Sequence, residues 1–344
     1  MVPLFLALLA AFLFGVSTPL SKAFLSQWTP LQLAGLLYLG AALGAASLLL
    51  SGRKPFLAAA LDRATLRRLS GAILFGGILG PIFLLCGLKL ASASSVSLWL
   101  NLEMVATALI GVLFFRDHLG RYGWLGAACI LGAGAALSFG EGVAGGRAGG
   151  FLALACACWG MDNNLSSLID GLLPLQSTFW KGLAAGTFNL ALGFLWHRSP
   201  GSPAGAGLAL ATGALCYGAS IALYLASSQS LGAARGQMIF AAGPLFGLAL
   251  SHFWLREPWG PQHAWAVGLQ TAGLFLLFRD RHSHRHAHDA MEHTHGHSHD
   301  DGHHGHVHEG MPASLRHAHP HRHDPMTHAH PHWPDLHHRH AHPH

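Results

Sequence analysis

The sequence predicts an all-α polytopic membrane protein: ten transmembrane helices in two inverted five-helix repeats, then a disordered His-rich C-terminal tail. Three observations predict it. Charged residues make up only 10% of the 344 and apolar residues 51%, with a mean hydropathy of +0.37, whereas soluble domains carry about 25% charged residues. Apolar stretches long enough to cross a bilayer, about 20 residues each, recur ten times before Arg279. From Arg279 to His344 the character reverses, and this segment holds 24 of the 28 histidines.

The ten stretches are 3–25, 31–51, 69–90, 93–115, 121–140, 149–169, 175–197, 205–228, 232–255 and 262–278. Polar or Gly/Pro turns separate them, such as Gln27-Trp-Thr-Pro30 and His197-Arg-Ser-Pro-Gly-Ser-Pro203. The 43 glycines suit close helix packing in lipid. The first stretch has no basic segment before it and is expected to be a retained membrane helix, not a cleaved signal peptide. Cys86, Cys129, Cys156, Cys158 and Cys216 all fall in apolar segments, with no disulfide framework in their spacing.

Residues 1–278 hold 14 Lys/Arg against seven Asp/Glu, a net of +7, and the tail has a net of −2 with neutral histidines. Basic residues concentrate in alternate loops: Arg53, Lys54, Arg63, Arg67 and Arg68 in one, Arg116 and Arg121 in the next on that side. Opposite loops hold Arg147 and Arg198. The Lys/Arg bias sets orientation, so the first group faces the cytoplasm of an inner (plasma) membrane. Ten spans put both termini and the tail there too.

An internal repeat is visible. Phe14-Gly-Val-Ser-Thr-Pro-Leu-Ser21 matches Trp159-Gly-Met-Asp-Asn-Asn-Leu-Ser166, 145 positions later, and Phe114-Phe-Arg-Asp117 matches Trp254-Leu-Arg-Glu257, 140 positions later. Trp124-Leu-Gly126 and Trp265-Ala-Val-Gly268 follow in turn. The halves are 3–140 and 149–278, with the tail at 279–344. Five spans per copy is odd, so the copies insert with opposite orientation, as in secondary transporters that bind solute at the repeat interface.

The run Gly87-Leu-Lys-Leu-Ala-Ser-Ala-Ser-Ser-Val-Ser-Leu-Trp-Leu-Asn-Leu-Glu103, then Phe115-Arg-Asp-His-Leu-Gly120 and Trp124-Leu-Gly126, resembles the EamA family of the drug/metabolite transporter superfamily. Ala242-Gly-Pro-Leu245, Leu255-Arg-Glu-Pro258 and Trp265 repeat the pattern. The resemblance covers 3–278 and implies ten helices in two EamA repeats, with efflux or exchange of small organic solutes. Met104 stands where the family's first repeat often has proline, which puts a kink in the fourth helix in doubt. Asp117 replaces the commoner Glu.

Ionisable groups at membrane depth are costly and point to function. Glu103 sits near the middle of the fourth helix and is a candidate proton-exchanging group; its plainer reading is packing. Asp162 and Lys181 lie about 12 and 9 Å from the same membrane face at 1.5 Å per residue, so adjacent antiparallel helices pair them. That pair is read either as part of a binding site or as a structural latch. Asn163 and Asn164 are read either as solute-binding groups or as donors of interhelical bonds, and Asn189 extends the polar path. Trp99, Trp159 and Trp180 line a cavity or serve as packing. Gly182 and Gly186 form a small-residue packing surface. Cys156 and Cys158, two apart on a helix, diverge too far to share a ligand.

In the tail, His-x-His arrays with Asp and Pro cannot build a core. Neutral imidazoles suit Ni²⁺, Co²⁺, Zn²⁺ or Cu²⁺, and His293, His295, His297, His299, His303, His304, His306 and His308 are the candidate ligands. The body requires no cofactor. Titration toward pH 5–6 would charge the tail, so a pH-responsive or lipid-attracted segment is a second reading. Within the spans only His252 is placed away from a helix end. The leading function is therefore a proton- or gradient-coupled carrier of small organic solutes, with a tail that binds divalent metal. The alternative is a divalent-metal exporter whose tail collects ions, and a metal sensor comes third. No nucleophile–base array or phosphate loop suggests an enzyme. The basic loops flank membrane spans and do not suggest nucleic-acid binding. The partners implied are the bilayer, a small molecule and divalent metal ions.

Overall fold

The computed structural model describes residues 2–56, 62–115, 119–140, 142–169, 172–197, 201–231 and 239–279, together with four backbone segments of the tail. The body is helical. In chain order its segments are α1 (Val2–Phe24), α2 (Pro30–Ser51), α3 (Arg63–Leu90), α4 (Ala93–Phe115), α5 (Arg121–Gly140), α6 (Gly142–Ser166), α7 (Pro174–Trp196), α8 (Pro203–Thr212, continued by Gly213–Ala219 and Ser220–Leu231), α9 (Gly243–Trp254) and α10 (Pro261–Arg279). Among the described residues, α1 to α5 and α8 (over Pro203–Ser227) are long and apolar enough to cross a membrane. Polar residues dilute α6 and α7, and α9 is short because a turn at 241–242 delays its start to Gly243, whereas the apolar run predicts a start at 232.

Two further starts differ from those expected. Helix α3 begins at Arg63, six residues early, because Asp62 caps it by accepting from the Thr65 N–H at 2.8 Å. Bonds from the Thr65 side chain and backbone hold the Asp62 carboxyl below its ordinary range. The basic first turns of α3 are invisible to an apolar window. Helix α6 begins at Gly142, so Arg147 sits inside a helix and not in a loop. It also ends at Ser166, three residues early.

The fourth helix does break, without proline at position 104. Its regular turns run Ala93–Trp99 and Leu102–Phe115. Helices α3 and α8 each contain a π-helical turn, Ile73–Leu79 and Gly213–Ala219, 140 positions apart. That spacing matches the sequence repeat.

Hydrogen bonds sort the helix ends into two groups. At one end the Arg68 guanidinium donates to Leu168 O (2.6 Å), Gln176 to Pro55 O (2.7 Å) and Trp180 to Phe56 O (2.9 Å). At the other, Lys22 Nζ donates to Leu88 O and Ala91 O (2.6 and 2.7 Å), and Gln32 Nε2 to His197 O (2.9 Å). Arg53, Lys54, Arg63, Arg67 and Arg68 therefore share the first end with the start of α1 and the finish of α10.

The helices pack in related pairs. Helix α2 packs on α7 and α5 on α10; α1 contacts α8 and α9, while α6 contacts α3 and α4. Glycines set the closest approaches. A Cβ on Gly40 would run into the Leu210 carbonyl, and one on Gly213 into that of Leu37, so α2 and α8 meet backbone to backbone. Gly15 does the same for α1 against Gly243 of α9, and Gly160 for α6 against Ala106 and Thr107 of α4. Gly182 and Gly186 pack on Tyr38, Ala42, Leu39 and Gly35 of α2, the packing surface expected of them.

In the tail the expectation of disorder meets backbone pairing. Ser283–His288 pairs antiparallel with Met326–Pro331, and Met291–His297 with His317–His323. The period-two alternation of His-x-His is a strand pattern, which is the physical reason for the difference. Two-stranded ladders of this kind are at best marginally stable in water. Of the expected metal ligands, His299, His303, His304, His306 and His308 lie outside the described residues.

Gly213→Leu should destabilise the fold by about 1–3 kcal/mol, since α2 must be pushed away. Gly207→Leu on the same helix, where nothing lies within 4 Å, should leave the melting temperature in detergent unchanged. Equal melting temperatures for the two variants would contradict this packing.

Candidate functional site

The π turn of α3 releases carbonyls that an α-helix would keep internally bonded. The Tyr38 hydroxyl (2.5 Å) and Trp159 Nε1 (3.1 Å) both donate to Gly76 O. Asn189 Nδ2 donates to Gly77 O at 3.2 Å. Glycine is needed at 76 for a second reason: a Cβ there would collide with the Asp162 carboxylate. Asp162 is seated against this gap, 6% exposed, and Lys181 Nζ meets both its oxygens at 2.8 and 2.6 Å. The Ser166 hydroxyl adds a third hydrogen bond, to Oδ1, at 2.8 Å. Asp162 lies four residues from the end of α6, about 6 Å deep by helix rise. The pairing read from sequence is present, but closer to the helix end than expected because α6 stops earlier.

Glu103 stands in the first turn after the break in α4. Its carboxylate accepts from Asn163 Nδ2 at 2.8 Å, and the same amide reaches Thr107 Oγ1 at 3.1 Å. Glu103 is partly accessible, Asn163 is exposed, and Glu103 lies within electrostatic reach of Asp162 and Lys181. The break divides the attachments of α4. Below it, Leu102–Phe115 is bound to α6 by the Glu103–Asn163 bond and by Asn164 Nδ2 on Thr107 O (3.0 Å). Above it, Ala93–Trp99 is bound to α10 and the turn before it. Gln270 accepts from Asn101 (3.0 Å) and donates to Leu98 O (2.5 Å), Ser95 Oγ meets His263 Nε2 at 3.2 Å, and the Glu257 carboxylate accepts from the Ala93 and Ser94 N–H groups at 2.8 Å each.

An aromatic series continues from the polar groups. The Tyr38 ring lies 6.2 Å from Tyr217, Tyr217 6.2 Å from Phe14, and Phe14 5.1 Å from Phe240. All four rings and Trp159 keep part of their surface accessible. Side chains or carbonyls from α1, α2, α3, α4, α6, α7 and α8, and Phe240 just before α9, thus converge on one centre whose groups keep some accessible surface. Helices α5 and α10 pack against each other through Gly126 and Gly273, away from it.

Of the six residues singled out from sequence, Glu103, Asp162, Asn163 and Lys181 meet here. Asn164 is buried, donating to Thr107 O and to Gly160 O (2.9 Å), and clasps α4 to α6. Asn189 is 0% exposed with Oδ1 unpartnered, and it faces the α2–α3–α7 contact. Trp99 donates to Gly134 O and Trp180 to Phe56 O, both as packing; Trp159 alone of the three tryptophans reaches the centre. Sequence reasoning passed over Tyr38, Tyr217, Phe14 and Thr107. The Gly76-Gly77 pair beside them was the available signal. His252 Nδ1 lies 2.9 Å from Glu257 O and His263 is buried beside Ser95; neither is at the centre.

The profile of the EamA-like transporter family matches residues 1–139 and 148–279. A protein described as an uncharacterized transporter from Methanothermobacter thermautotrophicus is 26% identical over 296 residues, spanning 78% of this chain and 84% of that protein. A crystal structure at 16% identity shares the fold with a TM-score of 0.59 over 80% of this chain and 96% of the other. The matched regions span both helical halves and everything that builds the centre: the chain belongs to the EamA-like transporter family.

Proposed function

We propose that this protein is a secondary transporter moving small organic solutes across the inner (plasma) membrane, in the direction of efflux that the family resemblance implies. Its body is read as ten spans in two inverted five-helix repeats, 3–140 and 149–278. The observation that carries the proposal is the convergence of seven helices and Phe240, from both halves, on one centre holding Glu103, Asn163 and the Lys181–Asp162 pair. The exchanged packing supports inversion: α1 holds α8 and α9 as α6 holds α3 and α4, while α2–α7 and α5–α10 pair with their own counterparts. Cytoplasmic termini follow from the basic residues at the end where α1 starts and α10 finishes. Alternating access is assigned to the break in α4, whose upper half packs on α9 and is hydrogen-bonded to α10, and whose lower half, bearing Glu103, packs on α6.

The Lys181–Asp162 pair takes part in transport on this reading, beyond holding α6 to α7. Removing one partner of a buried pair leaves an uncompensated charge and costs about 3–5 kcal/mol. Asp162→Asn alone should therefore lower the amount of folded protein. The neutral double variant Asp162→Asn/Lys181→Met should regain folding, yet export less than a tenth of the wild-type solute from intact cells. Full export by the double variant would make the pair a latch only.

We also propose that the tail binds Ni²⁺, Co²⁺, Zn²⁺ or Cu²⁺ through its histidines, among them His293, His295, His297 and His299, as an accessory to the carrier. A chain ending at Arg279 should lose metal binding in equilibrium dialysis and keep solute export. Loss of export on removing the tail would instead place the metal within the transport mechanism.

A further inference from the structure

We infer that the centre accepts a small organic cation with an apolar or aromatic body, its positive end on the Glu103 carboxylate. This rests on the centre being the transport site. The charges argue for it. Lys181 is held at both oxygens by Asp162, and Lys181–Asp162 is the only salt bridge among the described residues. Glu103 receives one neutral amide, Asn163, and among the described residues has no cation bonded to its carboxylate. A partly accessible carboxylate within the helix bundle, with no cation of its own among the described residues, is stabilised by an incoming positive charge. A solute anion would instead meet Glu103, and among the described residues the cation beside it, Lys181, is already engaged by Asp162. Taking Lys181 from Asp162 would leave a second carboxylate unpaired.

The walls define the rest of the solute. Trp159 lies one turn before Asn163 on α6, and its Nε1 and the Tyr38 hydroxyl are both turned to Gly76 O. Their polar atoms are thereby satisfied, and the rings present apolar faces. Tyr217 and Phe14 continue this surface at centroid distances of 6.2 Å. Aromatic faces attract cations and stack on flat apolar bodies. A carboxylate beside such faces selects an amine carried on an aromatic or compact apolar frame.

Three probes share one indole ring and differ in charge: tryptamine (cation), tryptophan (zwitterion) and indole-3-propionate (anion). Binding of each to the purified full-length protein in lipid nanodiscs should rank tryptamine tightest, by about tenfold or more over the anion. Glu103→Gln should weaken tryptamine at least tenfold with an unchanged melting temperature, Glu103→Asp should restore it to within about threefold, and Trp159→Leu should weaken all three probes. Tryptophan or indole-3-propionate binding as tightly as tryptamine, no tryptamine binding at all, or indifference to Glu103→Gln would overturn the inference. Uptake into proteoliposomes separates the two readings. Transport of the anion or zwitterion without dependence on Glu103 would sink the substrate class and leave the carrier standing. Tryptamine bound through Glu103 but never moved would sink the carrier.

Discussion

The structure turns on the seat of one ion pair. Lys181 and Asp162 face each other inside a bundle whose surroundings supply little water to a charge, so each requires the other. The pair fits only because position 76 has no side chain, and Gly76 lies in a stretch of α3 that leaves α-helical geometry. The same π turn hands a carbonyl to Tyr38 and Trp159. One local departure from regular helix thus fixes a charge pair, two aromatic side chains and the approach of α2, α3, α6 and α7.

Around that seat the halves are alike in backbone and unlike in chemistry. Positions 73–79 and 213–219 both form π turns, and α9 starts regular helix at Gly243, 140 positions beyond Glu103. The counterpart of Asp162 is Ser17, whose hydroxyl bonds Phe14 O at 2.6 Å within its own helix. The second copy supplies charges where the first supplies a serine and an aromatic neighbourhood. A repeated scaffold thereby yields a centre that is polar on one side and apolar on the other.

Much of this was legible in the sequence. Apolar runs gave the helices, and matching offsets gave the repeat. Comparable depths from one membrane face brought Asp162 and Lys181 together. Where reading failed, the reasons are physical. A hydropathy window cannot see the capped, basic start of α3 at Asp62 and Arg63. The break in α4 needed no proline, because Gln270 on α10 satisfies Leu98 O and Asn101, and a partner 170 residues away leaves no local mark. Asn164 and Asn189 have the same composition signal as Asn163, but helix phase turns them into contacts. Tyr38 and Tyr217 carried no signal in the sequence: Tyr217 lies in the π turn of α8, and Tyr38 of α2 donates to the carbonyl that the π turn of α3 frees at Gly76.

The central claim is that the space beside Glu103 is an aqueous solute path enclosed by both halves, and Asn163 reports on it most directly. With the five native cysteines replaced, Asn163→Cys in sealed vesicles is treated with a charged, membrane-impermeant maleimide from each side in turn. The account predicts labelling from the aqueous phase, with its rate changing when transport-competent solute is added. Reaction only with a lipid-soluble maleimide would show that Asn163 faces the bilayer, and would contradict the account.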